Sequence, residues 1–477
     1  MLKRLIGHEF LRNLYNLRFL VGLSLCILIT LACVIILTED YRQELHDYRL
    51  RVVMQERFLD EYAHVNRLGP MIQVQKPPSP FHPLVTGLQE DVWLGSFDDN
   101  PMPVLFPPID LVFIVTVLMS LMALLFSYDA ITGEREHGTL KLVISNGVSR
   151  SRIIVSKWIG GTASLLVPFA LSVLAGSLII TLHPAVQWDT PAWTTFILLL
   201  LASATFISVF YLMGLMVSAF SRYSSRSILS SLFLWVLFIL IIPNLSPFLS
   251  AQFYSIPSVH RIVQERHRLL DTERDELGRQ LQSRLDERYE QEYGPVFLEM
   301  KNMDREAISR RAGSDSEFQL LVRRYRQEAE AIWDEANRIQ REKAEKLTRD
   351  LEIRAGIQTG IAKNLACLSP YSNFIYVATD LTETGLRNLG HFENMARQYG
   401  GLLHPYIERK YREAQEKDPA FGVNSYLDIR DRPRFRFSME PLEDRLTGVL
   451  PYWGILIGFA ILFFCLALAR MSHYDVR

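Results

Sequence analysis

Six stretches of the chain are far more apolar than the sequence between them. They run from Phe19 to Leu37, Leu111 to Phe126, Trp158 to Leu182, Ala192 to Val217, Ile228 to Leu249 and Leu450 to Ala469. A helix rises about 1.5 Å per residue, so roughly 20 residues cross a hydrocarbon core about 30 Å thick. Most of the runs reach that length, the second when its flanks Ile109 to Tyr128 are counted. Core helices of soluble proteins seldom run so far without a charge, so the pattern predicts an all-α membrane protein with six transmembrane helices.

Ahead of the first run, residues 1–17 place Leu2, Leu5, Ile6, Phe10, Leu14 and Leu17 on one helical face, with Lys3, Arg4 and Arg12 around the other. That is the pattern of a helix lying in the membrane interface. The basic start and "LAC" at Leu31 to Cys33 also suit a secretory signal. Apolar sequence continues through "VIIL" without a small-residue cleavage site, however, so residues 18–37 read as a retained first span. The other spans are expected at 109–128, 158–182, 192–217, 228–249 and 448–470.

Orientation follows from Lys and Arg in the short connections, which resist translocation. Lys3, Arg4, Arg12 and Arg18 precede or open the first span. Arg135, Lys141, Arg150, Arg152 and Lys157 follow the second, Arg222 and Arg226 the fourth, and Arg470 and Arg477 the last, while "HPAVQWDTP" at 183–191 has none. Both termini and the loop 129–157 are therefore expected in the cytoplasm, with a short tail at 471–477. Segments 38–108 and 250–447 are expected outside.

The first external segment is helical in pattern over 38–68 and is then broken by the prolines of "KPPSPFHP" and "PMPVLFPP". The second predicts a large, mainly helical domain. A long helix is expected over about Val259 to Tyr293, with Val263, Leu270 and Leu277 repeating every seven residues. "YGP" breaks it, and Ser314 with Glu317 reads as a capping box opening a second helix. There Phe318, Tyr325, Ile332 and Ile339 form one row, with Val322, Ala329 and Ala336 beside it. Two such stripes predict an antiparallel helical hairpin, coiled-coil in character. Over 368–447 the pattern does not define a fold.

Charge and candidate chemistry narrow the function mainly by exclusion. Net charge is -1, and the hairpin's charges are mixed in sign, the pattern of a solvated face and not of a nucleic-acid site. Phosphate-loop, dinucleotide-binding, "HExxH" and paired "CxxC" motifs are absent. Of Cys26, Cys33, Cys367 and Cys465 only Cys367 falls in an external segment, so no disulfide framework is available there, and the scattered histidines offer no metal site. Apart from Asp110 at the outer edge and Asp129 at the inner, the span cores lack acids and bases, which disfavours proton coupling. Pro168 and Pro243 are expected to kink their helices. Gly160 with Ser164, Ser172 with Gly176, and Gly214 with Ser218 have the spacing that lets helices approach closely.

The loop after the second span is the most specific stretch: "DAITGEREHGTLKLVISNGVSRSRIIVSKW", from Asp129 to Trp158. It resembles the cytoplasmic loop of type 2 ABC exporter permeases, in which D-x-x-x-G-E-x-E-x-G-T-L is followed by S-x-x-x-S-R and a Lys at the foot of the third span. "KPPSPFHPLVTGLQEDV", "IIPNLSPFLS", "IPS", "LSPYSNF" and the terminal "YDVR" are similar to the gliding-motility and nitrous-oxide-reductase-maturation branch of that family. The resemblance implies a membrane subunit without catalytic residues or cofactors of its own. It implies a dimer, of two copies or with a related permease, above separate ATP-binding-cassette ATPase subunits that carry ATP and Mg. It further implies export driven by ATP, in the bacterial inner membrane.

Carried onto this chain, the coupling residues are Asp129, Gly133, Glu134, Arg135, Glu136, Gly138 and Thr139. Gly133 and Gly138 bracket "EREH" and permit tight turns. Glu134, Arg135 and Glu136 are expected to meet a partner's groove through charge-assisted contacts, and "TLKLVI" to start a short amphipathic helix. Two alternatives stay open: a mechanical transmitter acting on an envelope partner through the hairpin, and a membrane sensor.

Overall fold

The computed structural model describes residues 2–63, 74–87, 109–417, 421 and 425–473. "PMPVLFPP", the end of "KPPSPFHPLVTGLQEDV" and the terminal "YDVR" lie outside the described residues. Helix dominates what is described, and six helices are long and apolar enough to cross a membrane. The chain divides into two compact units, Met1–Asn244 with Ala366–Arg477, and Leu245–Leu365.

In the first unit, α1 (Leu2–Leu14) precedes α2 (Leu17–Tyr62), which opens on Asn16, whose side chain accepts from the Arg18 amide. α2 does not stop at the end of its apolar run but carries on as one helix of 46 residues. The second span, α3, runs as Leu111–Phe113, a π-helical stretch Ile114–Met119 and Ser120–Ser127. Two short helices follow, α4 (Thr132–Glu136) and α5 (Thr139–Ser145), and then the spans α6 (Arg150–Leu182) and α7 (Thr190–Phe220). The fifth span, α8, is Ser224–Val236, a π-helical Leu237–Ile241 and Ile242–Phe253. The wide turn immediately precedes Pro243, whose ring would otherwise collide with the carbonyl four residues back.

The small residues mark the close crossings. A methyl at Gly176 would stand 3.0 Å from Val34 of α2, and one at Gly214 2.0 Å from the Ser127 hydroxyl of α3. Ser172 sits 3.2 Å from the Cys26 thiol. Core side chains of these spans, among them Phe169, Phe206, Phe210 and Leu212, are buried together.

α1 packs on the spans through its polar face. Its buried residues are Glu9 and Asn13, not the leucine stripe, and Leu11 is half exposed. The reason is that polar partners await them on α6: Lys157 for Glu9 and Ser164 for Asn13. The backbone of α1 crosses at Gly160, where a Cβ would stand 2.9 Å from the Glu9 Cβ and 3.0 Å from the Ile6 carbonyl.

Within 368–447, unreadable from pattern, the described residues form α13 (Pro370–Leu381), α14 (Leu386–Lys417) and, over 425–441, a non-helical run leading to the last span, α15 (Leu442–Ser472). α13 belongs to the membrane-span core, not to an outer domain. Phe374, Val377, Ala378 and Leu381 are fully buried, and the Phe374 ring lies 4.9 Å from Phe206, midway along α7. Ser369 donates to the Phe238 carbonyl at the π turn of α8. Beyond the spans, the far end of α2 packs on α14 and on residues 427–429 through Leu59, Leu403, Tyr406, Leu427 and Ile429. Asp60 there takes a 2.8 Å ion pair from Arg432. Gly87, at φ +64°, presses on Thr384 so closely that a Cβ would stand 2.2 Å from its carbonyl.

The second unit contains the predicted hairpin. Its first arm, α9, is Val259–His267, a π-helical Arg268–Glu273 and Arg274–Tyr293. α10 (Pro295–Asn302) and α11 (Arg305–Ser314) form the tip, and α12 (Ser316–Ala366) includes the return arm. Pairing is antiparallel: Gln358 reaches the Tyr254 carbonyl, Gly278 lies against Trp333, and Asp286 accepts from Tyr325. Two expectations are corrected. Val263 is exposed, and from the π turn onward the buried positions of the first arm are Leu269, Gly278, Leu285 and Tyr289, off the expected seven-residue row. The cap of α12 is Asp315, which accepts from the Glu317 and Phe318 amides, whereas the Ser314 hydroxyl donates back to the Arg311 carbonyl.

Candidate functional site

The loop between α3 and α6 is built from its ends inward. α3 stops at Ser127, whose hydroxyl donates to the Ala123 carbonyl. The chain then turns onto α7, where the Ser218 hydroxyl accepts from the amides of Ile131 and Thr132 at 3.0 and 3.1 Å. Asp129 binds Arg18 of α2 at 3.1 Å. The same guanidinium also donates to the Leu125 carbonyl and the Tyr128 hydroxyl. The start of the first span is thereby tied to the end of the second.

Three consecutive residues of α4 then reach three different places, because neighbouring helix positions point about 100° apart. Glu134 turns toward α6 and accepts from Lys157 at 2.5 Å and from Arg12 of α1 at 3.1 Å. Arg135 donates to the carbonyls of Ser221 and Ala219, which are left without helical partners where α7 ends. Glu136 accepts from the amide and hydroxyl of Ser224, both at 2.8 Å, at the amino end of α8. A carboxylate there meets unsatisfied N–H groups and the positive end of the helix dipole.

Lys157 is the centre of this arrangement. It is 1% exposed, and its ammonium lies between Glu134 and Glu9, the latter at 2.9 Å. Arg12 bridges the same two acids, 2.7 Å from Glu9. Two cations and two carboxylates thus balance, which is the condition for burying a charge at all.

Glu134 is thus turned inward to the buried lysine, while Glu136 stays exposed and holds the amino end of α8. Gly133 is corrected: it sits within α4, and only Gly138, at φ +73°, takes the left-handed turn. Thr139 opens α5, its hydroxyl donating to the Glu134 carbonyl at 3.2 Å. The outward surface includes Glu136, His137, Gly138, Thr139, Lys141 and Leu142, the last 64% exposed. Beside it Arg12, Asn16, Arg18, Asp129 and Glu134 line an open cleft of about 370 Å³. Arg150, at the foot of α6, donates to the Ser472 carbonyl where α15 ends.

Sequence reasoning missed Glu9, Asn13, Ser218 and Ser224. The signal for Glu9 was partial: a lysine at the foot of a span needs counter-ions, and Glu9 is the one acid that α1 carries. Elsewhere, Asp40 hydrogen-bonds one ring nitrogen of His82 at 3.2 Å and Glu44 stands 3.6 Å from the other, joining α2 to residues 79–87.

Comparison with known proteins agrees with this architecture. The family model described as ABC-2 family transporter protein matches residues 4–396. The chain is 34% identical over 95 residues to the probable ABC transporter permease protein NosY of Stutzerimonas stutzeri, covering 18% of this chain and 34% of that protein. It is 38% identical over 78 residues to the NosY protein of Pseudomonas aeruginosa, covering 16% of this chain and 27% of the relative. The chain thus spans about a third or less of the length of these curated relatives. With its six apolar helices and a family match along most of its length, the chain belongs to the ABC-2 family of transporter proteins, as a multi-pass membrane member of it.

Proposed function

We propose that the chain is the permease subunit of an ATP-binding-cassette exporter. In this reading it works as a dimer in the bacterial inner membrane with both termini cytoplasmic. ATP and Mg are bound by a separate ATPase subunit, and the loop 129–157 carries that subunit's motion to the spans. One observation carries the reading: Glu134, Arg135 and Glu136 fasten α4 to α6, to the end of α7 and to the start of α8 respectively. A loop held so firmly moves with its spans, so a push at its tip tilts them.

The docking role falls to the outward face, with Leu142 as its apolar anchor, while the three charged residues act as ties. The experiment separates the two. Leu142→Asp should lower co-purification with the ATPase at least tenfold, an effect of about 1.4 kcal/mol. Glu134→Gln should leave association intact and weaken the stimulation of ATP hydrolysis by the membrane subunit. Full association of Leu142→Asp would refute the docking assignment, and full coupling by Glu134→Gln would refute the role of the tie. The mechanical-transmitter reading is favoured by the hairpin unit, Leu245–Leu365, which is far larger than a connection between two spans requires.

A further inference from the structure

Within the non-helical run ahead of α15, residues 433–438 are extended and have no strand beside them. Exposure alternates along them: Arg434, Arg436 and Ser438 are exposed, while Pro433, Phe435 and Phe437 are half-buried. That is the period of a strand lying with one face down. The inner face rests on α14, the Phe435 ring 5.6 Å from Tyr399 and the Phe437 ring 6.3 Å from Phe392. Side chains of α14 hold the two end carbonyls, Tyr399 that of Pro433 and His391 that of Ser438. From Arg434 to Phe437, no backbone amide or carbonyl meets a partner among the described residues. Inside a sheet a neighbouring strand would bond these groups, and here they form an open edge.

At the head of this run a cavity of about 90 Å³ opens, walled by Tyr48, Val52 and Leu59 of α2 and by Tyr399 and Phe435. Arg432 lines it as well. Its side chain is 4% exposed, and both of its bonds leave from Nη1, to Asp60 and to the Ile429 carbonyl. Nε and Nη2 are left without an acceptor among the described residues, which is costly for a buried donor. Asp60 already balances the charge, so the guanidinium lacks a neutral acceptor and not a second anion.

We infer that this face binds an extended peptide segment of another protein, added along 434–437 with one of its side chains seated in the cavity. In such strand addition, main-chain hydrogen bonds give affinity and pockets for alternate side chains give specificity. The side chain that fits has an apolar stem for the aromatic walls and a neutral carbonyl for Arg432, which describes glutamine or asparagine. Beside the outward residues the peptide is acidic. Arg434 is 60% exposed and only 3.6 Å from Glu56, and Arg436 has no acidic partner among the described residues. Beside Phe435 and Phe437 the peptide is apolar, since residues facing each other across two strands share a face. A basic segment would be repelled.

Tyr48 stands about 45 Å along α2 from Arg18, farther than a hydrocarbon core is thick, so the site lies across the membrane from the loop 129–157. It uses neither that loop nor the hairpin, and its test is independent of the permease reading. Full-length protein in nanodiscs is panned against a phage-displayed library of random twelve-residue peptides. The Val52→Trp variant, whose indole fills the cavity, serves for counter-selection. Enriched peptides should alternate acidic and apolar residues around a glutamine or asparagine. The strongest of them, made with a fluorophore, should bind at least tenfold more weakly to Arg434→Glu with Arg436→Glu, an exposed pair whose change leaves the core alone. Affinity should return when lysines replace the peptide's acids. N-methylation of one set of alternate peptide amides should abolish binding, and of the other set should not, because only one edge donates. No enrichment over Val52→Trp would overturn the proposal. Binding indifferent to both charge reversal and N-methylation would overturn the strand-like docking. If Val52→Trp halves the particle mass in mass photometry, the occupant is a second copy and the foreign peptide is wrong.

Discussion

Lys157 and Glu134 are 23 residues apart in sequence and 2.5 Å apart in space, and the lysine's second partner, Glu9, comes from the first helix of the chain. Deleting one member of such a group leaves the others buried and unmatched, which typically costs about 3–5 kcal/mol. Lys157→Met should therefore destabilise the membrane unit by roughly that amount, since Glu9 and Glu134 would share only Arg12. Adding Glu9→Gln and Glu134→Gln should restore part of the loss. Thermal unfolding of the detergent-solubilised protein measures both, and simple additivity of the three changes would show that they do not form one network.

The crossing of α1 over α6 at Gly160 makes a second prediction. A Cβ there meets the Ile6 carbonyl and the Glu9 Cβ at about contact distance or closer, and helix backbone cannot yield as a flexible side chain can. Gly160→Leu should lift α1 off α6, at a cost of about 1–3 kcal/mol, and expose position 13. With Asn13→Cys as reporter in a chain otherwise lacking cysteine, thiol labelling should rise severalfold. Gly454→Leu is the control, because no atom lies within 4 Å of a Cβ at that position of α15. Equal labelling in both variants would mean that α1 does not depend on this crossing.

These two sites show which parts of the molecule the sequence reveals. The spans and the two arms of the hairpin are legible because apolar runs and the "YGP" break are local signals, decided within a few residues of one another. The buried face of α1 is not local. Glu9 and Asn13 go inside because of Lys157 and Ser164, which lie 148 and 151 residues further on. α13 was hidden for a similar reason. Ser369 and Asn373 look like loop residues, yet they are buried by hydrogen bonds to the carbonyls of Phe238 and Cys367. The first hairpin stripe failed differently, because one π turn at Arg268–Glu273 moves every later residue out of a strict seven-residue repeat. At the loop, residue types alone could not show that Glu134 meets Lys157, 23 residues on, or that the exposed Glu136 meets Ser224, 88 residues on.

The cap of α12 separates two neighbouring residues. Asp315 accepts from the amides of Glu317 and Phe318, so Asp315→Ala should cost about 0.5–2 kcal/mol. Ser314→Ala should stay within about 0.5 kcal/mol, since its hydroxyl only bonds back to the preceding turn. Hydrogen exchange of the amides over 316–325 in the full-length protein reads the difference, which should be faster exchange for the first variant and little change for the second. The opposite order would restore Ser314 as the cap.

The hairpin seam should also respond to pH at two well-separated points. Burial works against ionisation of Asp286, but hydrogen bonds from Lys301, Tyr325 and Gln282 outweigh it and hold the carboxyl below its ordinary value. Burial and the bond to Asp286 push the Tyr325 phenol up to about 12. The signs differ in consequence. A carboxyl depressed in the folded state contributes stability above its unfolded value of about 3.9, and that contribution is lost as pH falls through the lower folded value. A phenol raised in the folded state contributes fully below its unfolded value of about 10 and loses that contribution as pH rises toward 12. Between roughly pH 4 and 10 the pair should therefore leave stability flat. Asp286→Asn should remove the pair's acid limb and Tyr325→Phe its alkaline limb, each lowering stability on the plateau, because each deletes the 2.7 Å bond between them. Melting followed by circular dichroism from pH 3 to 11 on the wild type and the two variants tests this, and an alkaline limb unchanged by Tyr325→Phe would show that the phenol does not titrate in the seam.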